Sequence, residues 1–165
     1  FTDKTKIIKD RAFMLCRTLK EVTFSDEIVE IGEYAFSASA LDTISPIPGK
    51  IGYVSNSAFN NTSIKTAVLS EGIHSIMPSA FENCSELIKL NLPKTLSFIY
   101  GKAFAGCTKL TEIHCGAITP PVISDSTVLE NIDKTKCKLY VPKDCAKAYK
   151  SDKYWKDFTN IIELE

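Results

Sequence analysis

The stretch that decides the fold runs Ile73-His74-Ser75-Ile76-Met77-Pro78-Ser79-Ala80-Phe81-Glu82-Asn83-Cys84-Ser85-Glu86-Leu87-Ile88-Lys89-Leu90-Asn91-Leu92, because it recurs along the chain. Its Ala80-Phe81 pair is matched by Ala12-Phe13, Ala35-Phe36, Ala58-Phe59 and Ala103-Phe104, at spacings of 23, 23, 22 and 23 residues. Five residues before each Phe stands Ile8, Ile31, Val54, Ile76 or Ile99, and three before that Thr5, Ile28, Ile51, Ile73 or Leu96. After each Phe come Leu19, Leu41, Ile64, Leu87 or Leu110, then Val22, Ile44, Ala67, Leu90 or Ile113 three residues on. Self-similarity at a period of this length is the mark of a stacked-repeat architecture.

Alternation in Val22-Thr23-Phe24, Leu90-Asn91-Leu92 and Ile113-His114-Cys115 predicts one short strand per unit with one face inward, ended by Ser25, Ser70 or Pro93. A unit this short cannot bury its apolar face alone, so the units must stack as coils, each strand pairing in parallel with the next. Each Phe is then expected to stack on the Phe of the neighbouring coil, with the preceding Ala leaving room. Full burial of one such side chain is worth roughly 1.5–3 kcal/mol, so the ladders carry most of the stability. The second and third units are one residue shorter between Phe and Leu, and the second recovers the position through Pro46-Ile47-Pro48-Gly49. Such length changes belong in turns.

The written-out pattern, Ile-x-x-x-Ala-Phe-x-x-Cys-x-x-Leu in five registered copies, resembles the BspA-like leucine-rich-repeat family. The resemblance implies a β-rich, right-handed, curved solenoid with a parallel sheet on its concave side and extended or short helical turns on the convex side. We expect one structural domain, with five repeats over residues 1–116, the first truncated, and a C-terminal cap over 117–165. The signature fails from Cys115 onward: Thr119-Pro120-Pro121 should not continue a ladder, and Ser124 to Lys136 is polar and irregular. Lys138-Leu139-Tyr140-Val141-Pro142 reads as one more strand. Lys143 to Lys150 reads as a helix with Cys145, Ala148 and Tyr149 on one side, and Trp155, Phe158, Ile161, Ile162 and Leu164 as an apolar tail. This segment also looks like the family's C-terminal cap. At the other end Thr5 and Ile8 enter in mid-pattern, so a signal segment or further repeats are expected before Phe1.

Composition narrows the function. Twenty basic side chains balance twenty acidic ones, so no global field holds nucleic acid or an anionic membrane. Apolar runs such as Ala12 to Cys16 fall far short of the roughly 20 residues that span a bilayer. Among six cysteines, Cys16, Cys84 and Cys107 share one repeat position, three before the strand Leu, where the second and third units place Ala38 and Asn61. They read as small buried groups filling a turn. Cys115, Cys137 and Cys145 lie outside that register and are the candidates for a disulfide in an exported protein. No Cys-x-x-Cys, His-Glu-x-x-His, Gly-x-Ser-x-Gly or Gly-rich loop occurs, so neither metal, cofactor nor catalytic residues are expected. His114 and Cys115, neighbours on a strand, point to opposite faces and form no dyad. Asn60-Asn61-Thr62, Asn61-Thr62-Ser63 and Asn83-Cys84-Ser85 match the glycosylation pattern formally, within repeat turns.

What remains is surface. Outward positions of the strands form one column of Glu21, Thr43, Thr66, Lys89 and Glu112, and a second of Thr23, Ser45, Val68, Asn91 and His114. Neither contains an exposed aromatic cluster. These ten residues are the expected partner-binding face of a non-enzymatic, monomeric interaction module. The resemblance implies a secreted or cell-surface bacterial protein acting in adhesion or host or extracellular-matrix protein binding. The other readings are a spacer array displaying another domain, and an accessory carbohydrate-binding module, disfavoured because the strand columns lack the exposed aromatics that sugar platforms need.

Overall fold

The computed structural model describes residues 1–165. Its strands, in chain order, are β1 (Ile7–Ile8), β2 (Glu21–Val22), β3 (Glu30–Ile31), β4 (Thr43–Ile44), β5 (Tyr53–Val54), β6 (Thr66–Val68), β7 (Ser75–Ile76), β8 (Lys89–Leu92), β9 (Phe98–Ile99), β10 (Glu112–Cys115), β11 (Val122–Ile123), β12 (Lys138–Val141) and β13 (Asn160–Glu163), with one α-helix, α1 (Ala146–Ser151). All pairings are parallel. The expected strand of each unit builds the long sheet, β6-β8-β10-β12-β13, preceded by the pair β2-β4. A second ladder, β1-β3 and then β5-β7-β9-β11, runs through Ile8, Ile31, Val54, Ile76, Ile99 and Ile123. The sequence marked these positions as aliphatic but not as paired strands, because two-residue strands are too short to alternate visibly.

Both ladders break between the second and third coils. In the long sheet the isolated bridge Ile47↔Leu69 replaces the Pro46↔Leu69 pairing that continued register would give. Pro46 has no N–H to donate, and the extra residue is accommodated there as a bulge. In the second ladder the Ser55 hydroxyl donates to the Ile31 carbonyl. The compensating segment is tightly packed: a Cβ on Gly49 would lie 1.7 Å from the Glu71 carbonyl oxygen.

Between the two ladders, the Ala-Phe turns form the spine of the core. The rings of Phe13, Phe36, Phe59, Phe81 and Phe104 stack in sequence at centroid separations of 5.2, 5.4, 5.3 and 5.5 Å, with interplanar angles of at most 10°. The last four are fully buried, whereas Phe13, at the open N-terminal end, is half-buried and meets the edge of Phe1. Each Phe N–H donates to the carbonyl of the Ala in the next coil, at 2.7–2.9 Å from Phe13 through Phe81, so the absence of a bulky side chain at Ala lets the backbones close. The residues two before and two after each Phe also donate to the next coil. For three alternate N–H groups to point the same way, the two outer residues adopt positive φ: Arg11, Tyr34, Ser57, Ser79 and Lys102 before, and Leu15, Ala38, Asn61, Asn83 and Gly106 after. Only one of the ten is Gly. The left-handed conformation costs roughly 1–2 kcal/mol per non-Gly residue, offset by bonds that would otherwise leave donors unpaired.

The position three after each Phe is Cys16, Ser39, Thr62, Cys84 and Cys107, not the Ala38 and Asn61 that counting back from the Leu assigned to the second and third units. Because the lost residue falls after this position, alignment from the Phe is the structural one. Its common property is a small donor: Ser39 and Thr62 hydroxyls donate to the Phe36 and Phe59 carbonyls at 2.7 and 2.8 Å, and the Cys84 and Cys107 thiols to the Phe59 and Phe81 carbonyls at 3.1 and 3.3 Å. Burial holds Cys84 up at about 11 and raises Cys107 further, so both remain protonated donors.

Past Cys115 the sequence signature stops but the winding does not. Val122–Ile123 pairs with Phe98–Ile99, and the Phe104 N–H donates to the Val128 carbonyl, so buried Val128-Leu129 takes the place of Ala-Phe. Pro120 and Pro121 sit in the approach loop, where no ladder donor is required, and pairing resumes with Val122 N–H to the Ser97 carbonyl. The prolines themselves stay out of the ladder, as expected, and the pairing resumes directly after them. The apolar tail is corrected: Asn160–Glu163 is a strand pairing with β12. Helix α1 is shorter than read, and Ala148 faces solvent while Cys145 and Tyr149 are buried. The Tyr149 hydroxyl donates to the Ala117 carbonyl at 2.7 Å and Trp155 Nε1–H to the Pro121 carbonyl at 2.8 Å, which pins the cap to the last coil.

No two of the six cysteines are bonded to each other in the structure, so Cys115, Cys137 and Cys145, the candidates for a disulfide, stand there as separate thiols. Their polar contacts lead elsewhere: Cys115 Sγ lies 3.2 Å from the Tyr149 hydroxyl oxygen, and Cys145 donates to the Lys143 carbonyl at 3.3 Å.

Candidate functional site

The in-register parallel pairing of the long sheet converts sequence spacing into columns. Lys89, Glu112, Lys138 and Asn160 are successive partners in the first, and Val68, Asn91, His114, Tyr140 and Ile162 in the second. Glu21 pairs with Thr43 on the N-terminal side of the break. Glu21, Thr23, Thr43 and Thr66 are exposed, and Ser45, Val68, Lys89, Asn91, Glu112 and His114 half-buried, so all ten face outward. The break separates Glu21, Thr23, Thr43 and Ser45 from the other six, since Thr43 and Thr66 are not ladder partners.

The two halves differ chemically. Near the N-terminal end the hydroxyls are small and internally engaged: Thr43 donates to the Asp42 carboxylate at 2.9 Å, and Ser45 Oγ accepts from the Phe24 N–H at 2.8 Å. Toward the cap the groups are larger. Glu112 Oε2 lies 3.4 Å from both Lys89 Nζ and His114 Nε2. The hydrogen bond from His114, followed by that from Lys89, draws the Glu112 carboxyl below its usual range. The His114 ring stacks on Tyr140 at 4.3 Å with 13° between planes. Tyr140 was missed because the columns were not carried beyond His114, although the alternation Lys138-Leu139-Tyr140-Val141 was already legible as a strand. The Asn91 side-chain oxygen Oδ1 is buried without a hydrogen-bond partner in the protein, whereas its backbone carbonyl accepts from the Leu69 N–H at 3.0 Å.

A second surface escaped the sequence reading altogether. On the outer face of the second ladder, Tyr53, Ser75, Phe98 and Val122 are successive partners, and Phe98 and Tyr100 stack at 6.3 Å. Tyr53, Phe98, Tyr100 and Val122 are all exposed, as is Ile118, which is 73% accessible. Phe98, Ile118, Pro120, Pro121 and Val122 line a groove of about 590 Å³. The two columns carry no exposed aromatic as far as His114; the exposed aromatics lie on this second surface, which the columns do not include. The signal was there in the residues flanking Val54 and Ile99, had those positions been recognised as strands.

No three His, Cys, Asp or Glu side chains converge as metal ligands would. No helix is long and apolar enough to cross a membrane.

A parallel-sheeted solenoid of about 23-residue coils, each wound around one buried Ala-Phe turn and one strand Leu, is a leucine-rich-repeat protein. The chain belongs to the BspA type leucine rich repeat family, whose description is matched in six copies over residues 1–120, where the Ala-Phe signature counts five. Among solved structures it is similar to a leucine rich cell surface protein from Faecalibacterium prausnitzii A2-165, at 26% identity and a TM-score of 0.64. That similarity covers 79% of this chain but only 34% of the other. No curated protein matches the chain in sequence.

Proposed function

We propose that this is a non-enzymatic interaction module displayed at a cell surface, acting as a monomer and binding a host or extracellular-matrix protein in adhesion through the outward columns of the long sheet. The observation that carries the reading is the columns themselves: a solvent-facing array of mixed polar side chains, set by strand pairing on a rigid spine, of the kind repeat solenoids use for recognition. The cell-surface description of the similar F. prausnitzii protein supports the location. A glycan partner is less well served by this face, because its aromatic rings, His114 and Tyr140, are stacked on each other, which closes one face of each to a sugar. Binding of the purified protein to immobilised extracellular-matrix proteins tests the proposal. Reversing Glu21 and Glu112 to Lys should abolish any interaction found, and binding that survives the reversal counts against this face.

The spacer reading is favoured by one observation, the apolar patch around Phe98, Tyr100, Ile118 and Val122, which lies off the columns and suits packing against a neighbouring domain.

A further inference from the structure

We infer that the first two coils, residues 1–45, are a separate cooperative unit that opens and recloses against the block formed by the third coil onward, with the Ser55 hydroxyl as its latch. Only the closed state presents all ten outward column residues together, since Glu21, Thr23, Thr43 and Ser45 belong to the opening unit.

A solenoid is held by the stability of each coil and of each contact with its neighbour, so cooperativity fails first at the weakest contact. Each coil has three sides that can reach the next: the long-sheet strand, the second-ladder strand and the Ala-Phe turn. All three cross between the first and second coils, the third and fourth, and the fourth and fifth. Between the second and third, neither ladder crosses.

The loss is greatest on the second-ladder side. There the residue after each ladder aliphatic donates its N–H to the carbonyl one coil back: Gly32 to Ile8 at 2.8 Å, Met77 to Val54 at 2.9 Å, Tyr100 to Ile76 at 2.9 Å and Ser124 to Ile99 at 3.0 Å. Ser55 is the exception, reaching the Ile31 carbonyl with its hydroxyl. A side chain thus spans what a backbone N–H spans elsewhere, and a cleft of about 390 Å³ opens there, with Glu30 and Gly32 on one side and Tyr53, Ser55 and Asn56 on the other. The exposed Lys50–Glu27 ion pair, at 2.8 Å, adds little across the joint. On the long-sheet side the single bridge Ile47↔Leu69 stands where the neighbouring joints carry two or more pairs. What remains whole is the Ala-Phe turn: the Tyr34, Phe36 and Ala38 N–H groups donate to the Asn56, Ala58 and Asn60 carbonyls at 3.1, 2.8 and 2.9 Å, and Phe36 stacks on Phe59. The first two coils, tied to each other on all three sides, therefore leave together.

Native-state hydrogen exchange of the whole chain, read amide by amide by NMR in low urea, tests this. The amides of Phe13 and Gly32, bonded within the unit, and of Phe36 and Ala38, bonded across the joint, should agree in protection within about threefold and lie at least about tenfold below Met77 and Phe81. Ser55→Ala, which removes the latch and leaves the Ile31 carbonyl unpaired, should lower all four by one common factor of about tenfold. Val141→Ala, in the buried cap strand, should lower Met77 and Phe81 by at least about fivefold and leave the four unchanged. Far-UV circular dichroism confirms the fold of each variant, and the wild-type profile decides without them. Protection rising coil by coil from Phe13 to Phe81, or a Ser55→Ala effect confined to Phe36 and Ala38, means that the end frays one coil at a time and overturns the inference. One protection level throughout, with Val141→Ala felt at Gly32, makes the solenoid a single unit and overturns it equally.

Discussion

Replacing Phe59 by Ala removes the middle rung of the aromatic spine. Its ring is fully buried, stacked 5.4 Å from Phe36 and 5.3 Å from Phe81, and meets the edge of Phe24 at 6.3 Å. Burial of the side chain contributes roughly 1.5–3 kcal/mol, and each well-placed aromatic pair about 0.5–1.5 kcal/mol beyond burial. Because the coils above and below are tied by Phe to Ala backbone hydrogen bonds, they cannot close over the vacancy, and the expected cost lies at the upper end of the range of about 3–5 kcal/mol for such truncations. Phe13 provides the control on the same ladder: half-buried, with one stacked neighbour and one edge contact, its truncation should cost about 1–2 kcal/mol. Urea unfolding followed by far-UV circular dichroism and by fluorescence of Trp155, the only Trp, measures both. Trp155 lies in the cap, so coincident transitions report that the coils unfold together. Equal costs for Phe59→Ala and Phe13→Ala would refute the assignment of stability to stacked, end-protected rungs.

Ala38→Gly should stabilise by about 0.5–1 kcal/mol, relief of left-handed strain exceeding the added unfolded-state entropy, whereas Gly106→Ala should destabilise; thermal unfolding distinguishes the signs. Gly49→Ala drives a Cβ into the Glu71 carbonyl and should cost at least about 2 kcal/mol by urea midpoint, with local loss of hydrogen-exchange protection at the second and third coils. In the native protein at pH 8 a thiol reagent should label half-exposed Cys16 first, since burial lifts Cys84 to about 11 and Cys137 to about 12 and raises Cys107 and Cys115; denaturation should release all six thiols. Only five thiols after denaturation would mean one is blocked, and four a disulfide. Asp133, bonded first by the Thr135 hydroxyl and then by Lys136, is held at about 2 against a usual 3.8. Its contribution is complete above the usual value and lost as pH falls toward 2, so wild type should exceed Asp133→Asn in stability above about pH 5 and converge with it near pH 2.

The parts of the fold legible in the sequence are those that burial writes in one dimension. Ile76, Phe81, Leu87 and Leu90 each have an equivalent one coil away, because every coil must present the same apolar groups to the same interior. Positions defined by hydrogen bonding were less visible. Ser39, Thr62 and Cys84 share a task that no hydropathy pattern unites, namely donating to a Phe carbonyl. Val128-Leu129 fills the place of Ala-Phe without resembling it. The candidate surface was legible as far as the signature ran and stopped short at His114, one strand before the aromatic that stacks on it.

By itself, then, the sequence determined the period, the stacking direction of the Phe spine and the side of each strand that faces out, since apolar spacing along the chain dictates all three. The tertiary structure alone decided which residues of different coils become neighbours. Parallel register sets Tyr140 against His114 and Lys138 beside Glu112, and the proline bulge after Ser45 parts Thr43 from Thr66. Those adjacencies depend on where each backbone N–H finds its carbonyl across a coil boundary, a relation between distant residues that no local pattern records.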